Sequence, residues 1–201
     1  MSIDEQITEH HENRSLGLLK TQRSHNLFVL SNAKTGQESA FLDWYKGDYL
    51  KAIEKQDNVL NVQNYQQHEV DITRGRHKPL PYHYLSIIEL SLDGAEEAQA
   101  LINVITQLHQ EESSAENPAT WLYFPVSEKV GHPPKGQPSL LTLAFANPIE
   151  DSELEFREWY ATRHIRHALH VPALVSGQCY QLTQFQQAGA MDAKYNIIAI
   201  Y

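Results

Sequence analysis

The sequence predicts an α+β chain of two related halves, each an antiparallel sheet carrying helices on one face, with the second half incomplete. Three observations predict it. A gapless shift of 115 residues lays Phe41-Leu-Asp-Trp44-Tyr45 on Phe156-Arg-Glu-Trp159-Tyr160. The same shift pairs Asn32 with Asn147, Glu38 with Glu153, and Gln63, Tyr65 and Gln66 with Gln178, Tyr180 and Gln181. That makes eight identities in the forty positions from Leu27 to Gln66, and it uses two of the three tryptophans. Finally, element signals follow one another in the same order on both sides of the shift.

In chain order, residues 1–25 form a polar segment. Asn26 to Ala33 is a short apolar, β-branched run closed by the turn-prone Lys34-Thr35-Gly36, which reads as a strand. A helix follows over about Glu38 to Lys55. Val59 to Val70 and Tyr82 to Leu92 read as strands on either side of the basic, proline-containing Arg74 to Pro81. Ala95 to Glu111 is a second helix, opened by Asp93-Gly94 and by Glu96 and Glu97, the charge that a helix N-terminus favours. Thr120 to Val126 is a fourth strand, so residues 26–126 give βαββαβ with both helices on one face. Ser127 to Ser139, rich in Pro and Gly, is the linker. The pattern then restarts over residues 140–201: strand Leu140 to Asn147, helix Ser152 to His170 capped by Asp151 or Ser152, strands Leu174 to Gln184 and Tyr195 to Tyr201. A second helix and a fourth strand are missing from this half, which is either truncated or completed by something else.

Composition narrows the function classes. The 201 residues carry 16 Lys+Arg against 25 Asp+Glu, a net charge of −9, with 41% hydrophobic residues. Such a chain is long enough to bury a core, and its 18 Gly plus Pro (9 and 9) are too few for a disordered or collagen-like protein. An acidic chain without a Lys/Arg cluster offers no footprint for a phosphate backbone and is repelled by anionic lipid, so neither nucleic acid nor membrane is an expected partner. The lone Cys179 cannot form an internal disulfide, no apolar run spans a bilayer, and the opening MSIDEQITEHHENRS lacks the order of a signal peptide. A reducing, cytoplasmic location is expected.

Helix geometry selects the candidate site. Phe41, Tyr45, Tyr49 and Ile53 form an i, i+4, i+8, i+12 row facing the sheet, and Phe156, Tyr160, His164 and Ala168 form its counterpart. The third position differs, Tyr49 in one half and His164 in the other. A histidine there is desolvated: it is either a core residue held by a backbone carbonyl or a general acid or base at the floor of a pocket. Trp44 and Trp159 sit on the rim of each row, as closures of the core or as pocket walls. Gln63 with Tyr65, and Gln178 with Tyr180, share strand faces and suggest cross-strand pairing first, ligand hydrogen bonding second. His83, in the aromatic strand Pro81-Tyr-His-Tyr84, is a further polar candidate and aligns with Asn196.

His164, His167 and His170 make an H-x-x-H-x-x-H series. Successive members step by about 60°, so the outer two diverge by about 120° on a regular helix and no metal site is expected. His167 and His170, with Arg163 and Arg166, read as a solvated edge. No dinucleotide, P-loop, nucleophile-elbow or zincin motif is present, and Cys179, on a strand with no activating partner, reads as a buried inert thiol.

Asn147-Pro148, Phe156-x-x-Trp159-Tyr160-x-x-x-His164, the following Pro172, and the strand ending Gln178-Cys-Tyr180 resemble the EthD-type members of the dimeric α/β-barrel superfamily. The resemblance covers about 60 residues of the second half closely and the first half more loosely. It implies two ferredoxin-like repeats whose sheets pack into a barrel within one chain, and a cofactor-free pocket for a small, largely apolar or aromatic molecule. Only Tyr160 and His164, with Trp159 as a wall, carry over by position. Tyr49 replaces the histidine in the first half, and Pro172-Ala173 stands where the family has Pro-Gly.

The expected function is a cofactor-independent lyase, cyclase or oxygenase-like enzyme with His164 and Tyr160 as catalytic residues. Trp159, Phe156, Tyr49, Tyr45, Trp44, His83, Gln178 and Tyr180 are the expected substrate-binding residues. The alternatives are a non-catalytic small-molecule binding or sensing protein, and a purely structural role in which side chains fill both pockets. Barrel closure within one chain permits a monomer, while unpaired edges in the second half invite a homodimer.

Overall fold

The computed structural model describes residues 24–69, 75, 80–132, 140–185 and 195–201. These divide into two compact units, the first holding 24–122 and Phe185, the second 123–184 and 195–201. Most of the predicted 1–25 segment lies outside the described residues.

In the first unit, β1 (Ser24–Ser31) leads into α1 (Glu38–Trp44), which runs through a π-helical turn (Tyr45–Tyr49) into α2 (Leu50–Glu54). β2 (Val59–Gln66) and β3 (Tyr84–Ser91) follow, then a 3-10 turn (Ala95–Glu97), α3 (Ala98–Glu111) and β4 (Ala119–Pro125). β3 pairs antiparallel with both β1 and β2, and β4 lies on the other side of β1, giving the order β2-β3-β1-β4. Period-2 alternation places Leu27, Val29, Ser86 and Ile88 on the helix side, across the register pairs Leu27↔Ile88 and Val29↔Ser86. They close over Phe41, Tyr45, Tyr49, Ile53, Leu101, Ile102 and Ile105 in one core. Phe28, Leu30, Leu85 and Ile87 alternate onto the opposite face and are buried as well.

The second unit takes the last three residues of β4, then β5 (Val130–Gly131), β6 (Leu143–Ala146), α4 (Glu153–Trp159), a π-helical turn (Tyr160–His164), α5 (Ile165–Ala168), β7 (Ser176–Leu182) and β8 (Ile197–Ile200). β8 pairs antiparallel with β6 and β7, and β7 also takes β5 and Tyr123–Pro125 of β4. Part of the expected linker is therefore strand. At Gly131 the φ of +74° and the Val175 carbonyl oxygen, which a Cβ would strike, require glycine. Residues 133–139 of that linker lie outside the described residues.

The two halves repeat one another in backbone detail. Gly36 (φ +80°) and Asp151 (φ +64°), 115 residues apart, both take the left-handed conformation just before the helix. The helix-entry residues agree too: Gln37 has φ −118° and ψ 21°, Ser152 has φ −123° and ψ 15°. Ser152 occupies the expected cap position, but its side chain makes no capping hydrogen bond. Asn32 Oδ1 accepts the His83 backbone N–H at 2.9 Å, and Asn147 Oδ1 accepts the Asn196 N–H at 2.8 Å. Tyr65 donates to Gln63 Oε1 at 2.6 Å, and Tyr180 to Gln178 Oε1 at 2.8 Å. The helices expected over Glu38 to Lys55 and Ser152 to His170 are each broken into α–π–α by a turn holding one extra residue, a feature that an apolar row written with a constant period does not reveal.

Candidate functional site

In the second unit His164 closes the π-helical turn that Tyr160 opens. The insertion brings residues five apart into register, so Trp159 and His164 are in ring contact at 4.8 Å. Tyr160 and His164 lie 4.5 Å apart between ring centroids, and Phe156 lies 5.4 Å from Tyr160. Tyr160 is buried, Phe156 and His164 are half-buried, and Trp159 is 43% exposed. These four rings make a continuous aromatic surface running from the core to solvent.

Beneath it the sheet is lined by small side chains. The register row Ala144–Ala199–Cys179 stands where the first unit has Val29–Ser86–Asn64. Tyr160 packs there with Cys179, Ala199 and Ile165, and the half-buried Tyr201 packs against the same cluster. Gly177 makes room for Tyr201, since an added Cβ would meet its ring at 3.1 Å.

Electrostatics follow from burial. Desolvation first, then the neighbouring Tyr201 and Cys179, holds the Tyr160 phenol well above the ordinary tyrosine range, so it is a hydrogen-bond donor. Desolvation, reinforced by His167, lowers the affinity of His164 for a proton, leaving a neutral imidazole able to accept one. Burial pushes the Cys179 thiol up to about 12, which removes it as a nucleophile. Arg157 is buried and donates from Nη1 to Gln181 Oε1 at 3.0 Å, tying the helix to β7.

The equivalent place in the first unit is sealed. Tyr49 is 0% exposed, and Trp44 is half-buried against it at 5.0 Å. The cover is α3, whose His109 meets Trp44 edge-on at 5.1 Å and Tyr49 at 5.3 Å. His109 is hydrogen-bonded at both ring nitrogens, Nδ1 with the Ile105 carbonyl at 2.9 Å and Nε2 with Ser31 Oγ at 3.0 Å. The Tyr45 hydroxyl shares a 2.7 Å hydrogen bond with Ser86. Tyr45, Tyr49 and Trp44 are therefore core residues of the first unit, each packed by its own neighbours.

Of the residues expected to bind a ligand in the second unit, the structure brings Phe156, Trp159, Tyr160 and His164 together. Gln178 and Tyr180 alternate with Cys179 along β7 and project from the opposite face of the sheet, so they do not join His164. His83 is an exposed loop residue that precedes β3, held through its backbone by Asn32. His167 and His170 stack on one another, with ring centroids 6.1 Å apart, while His164 turns to Trp159. Among the described residues no group of three or more His, Cys, Asp or Glu is placed to hold a metal ion, and no helix is long and apolar enough to cross a membrane.

Sequence reasoning missed His109. The signal was present, because Ala98, Leu101, Ile102, Ile105 and His109 fall on one helical face. The π-helical turns left no comparable trace. No family model, curated protein or solved structure matches this chain.

Proposed function

We propose that the second unit binds a small apolar or aromatic molecule against Phe156, Trp159, Tyr160 and His164 and transforms it without a cofactor. In this reading the chain is a tandem pair of ferredoxin-like repeats of the EthD type, arranged as an intrachain α/β barrel, with only the second repeat functional. One observation carries it. At equivalent positions Tyr49 is sealed beneath α3, whereas His164 is half-buried beside an exposed tryptophan and against Tyr160, which packs on Ala199. His164 moves a proton as general base or acid, and the protonated Tyr160 orients a substrate oxygen or stabilises charge developing on it. Trp159 and Phe156 supply the apolar wall.

The test is a screen of small aromatic compounds by quenching of tryptophan fluorescence, followed by mass-spectrometric detection of product. His164→Ala is expected to lower turnover by about 10²–10⁴-fold, the usual worth of a positioned acid or base. Binding that survives in wild type with no product, and is unaffected by His164→Ala, sinks the catalytic role.

A second reading is a binding or sensing protein. It is favoured by the surroundings of His164, whose proton affinity is set by burial and by His167 rather than by a carboxylate that would orient the ring. That reading expects affinity without turnover.

A further inference from the structure

We propose that Tyr201 is a further ligand-binding residue of the second unit, its hydroxyl joining that of Tyr160 to grip one oxygen atom of the bound molecule. The inference rests on the small-molecule reading above and narrows it: the ligand is an aromatic carbonyl compound or a phenol, not a hydrocarbon.

Comparison of the two sheets brings Tyr201 forward. In the first unit the Tyr45 hydroxyl is engaged by Ser86, 2.7 Å away, in the row Val29–Ser86–Asn64. In the second unit that row reads Ala144–Ala199–Cys179, and Ala199 offers Tyr160 no hydroxyl partner. The next row on the same face carries a hydroxyl instead. Where the first unit has the apolar Leu27–Ile88–Val62, the second has Tyr201, joined to Thr142 by two backbone hydrogen bonds of 2.9 and 3.0 Å, with Gly177 beside it. Strand alternation puts Tyr201 on the face of Ala199, towards the helix, and its ring packs against the cluster that holds Tyr160, Cys179 and Ile165. Glycine at 177 lets it lie there: a Cβ would stand 3.1 Å from the Tyr201 ring and 3.2 Å from Ile165.

The Tyr201 hydroxyl is buried and meets no partner in hydrogen-bond geometry among the described residues. Burial above all holds Tyr160 and Tyr201 in their protonated form, and each phenol also shifts the other's hold on its proton, so the two hydroxyls are near neighbours. Both are therefore donors at neutral pH. A buried donor with no acceptor is costly, and an oxygen atom presented by an aromatic ligand supplies one acceptor to the two hydroxyls together. Tyr160 in turn contacts His164, with ring centroids 4.5 Å apart, so an oxygen gripped in this way is held near the imidazole.

The test uses a matched pair of probes, 2-naphthol and naphthalene, measured against the full chain by equilibrium dialysis at pH 7. The naphthol is expected to bind about tenfold more tightly than the hydrocarbon. Tyr201→Phe keeps the ring over Gly177 and removes only the oxygen, so it should weaken 2-naphthol by about fivefold to tenfold and leave naphthalene unchanged. Ala199→Ser copies the Ser86 arrangement and gives the Tyr160 hydroxyl an acceptor of its own, so it should also lower the preference for the naphthol. Circular dichroism checks that both variants fold. Equal affinity for the two probes in wild type, a preference untouched by Tyr201→Phe, or a Tyr201→Phe loss equal for both probes overturns this proposal while the small-molecule reading stands. Saturable binding of neither probe overturns both.

Discussion

Tyr49 and His164, 115 positions apart, each close a five-residue π-helical turn, yet one is fully buried and the other half-exposed. The difference arises above them: α3 roofs Tyr49, and no described element roofs His164. Two helices of like backbone thus have unlike surroundings.

Exchanging the two side chains separates packing from chemistry. Tyr49→His removes a fully buried ring from a closed core and should cost about 2–4 kcal/mol of stability. His164→Tyr, at a half-open position, should change stability by less than about 1 kcal/mol while abolishing ligand binding or turnover. Urea denaturation reads the first effect, and compound titration reads the second.

His109 should make stability depend on pH. Burial pushes its pKa down to about 4, below the ordinary 6.5, although the hydrogen bond with the Ile105 carbonyl opposes the shift. The folded state therefore keeps His109 neutral where the unfolded chain binds a proton. Stability from this group is present in full above pH 6.5 and is lost as pH falls towards 4, a window worth on the order of 3 kcal/mol. The denaturation midpoint of wild type should fall across that window. In His109→Gln the slope should be shallower, and its stability at pH 7.5 should be lower by about 1–3 kcal/mol for the lost buried hydrogen bonds.

Cys179 should be silent in the native state. It is buried, and its thiol is pushed up to about 12, so a disulfide reagent at pH 8 should label it only through opening of the second unit. Because it is the sole cysteine, one labelling rate reports that opening. Rapid labelling of one equivalent under native conditions would contradict the packing of Tyr160, Ile165 and Ala199 around it.

Gly36 and Asp151 test the backbone repeat. A Cβ at Gly36 meets nothing within 4 Å, so Gly36→Ala carries only the strain of a left-handed φ, about 1 kcal/mol. Asp151→Gly relieves the same strain and should stabilise the second unit or leave it unchanged. Thermal denaturation of both variants gives the signs. A loss on Asp151→Gly larger than that on Gly36→Ala would mean that the Asp151 side chain holds the turn.

The sequence by itself determined the mixed α+β class, the order of the strands and helices other than β5, and the placing of Tyr160 and His164 on one helix. These rest on short-range periodicity and on identities at a fixed spacing, which survive in a linear string. Tertiary structure alone decided the rest. Whether Tyr49 meets solvent depends on α3, which is far from it in sequence. The separation of Gln178 and Tyr180 from His164 depends on which face of β7 turns to the helix. The Trp159 to His164 contact depends on one extra residue in a helical turn. Burial and strand facing are properties of neighbours brought in from elsewhere in the chain, and the local pattern of residues does not encode them.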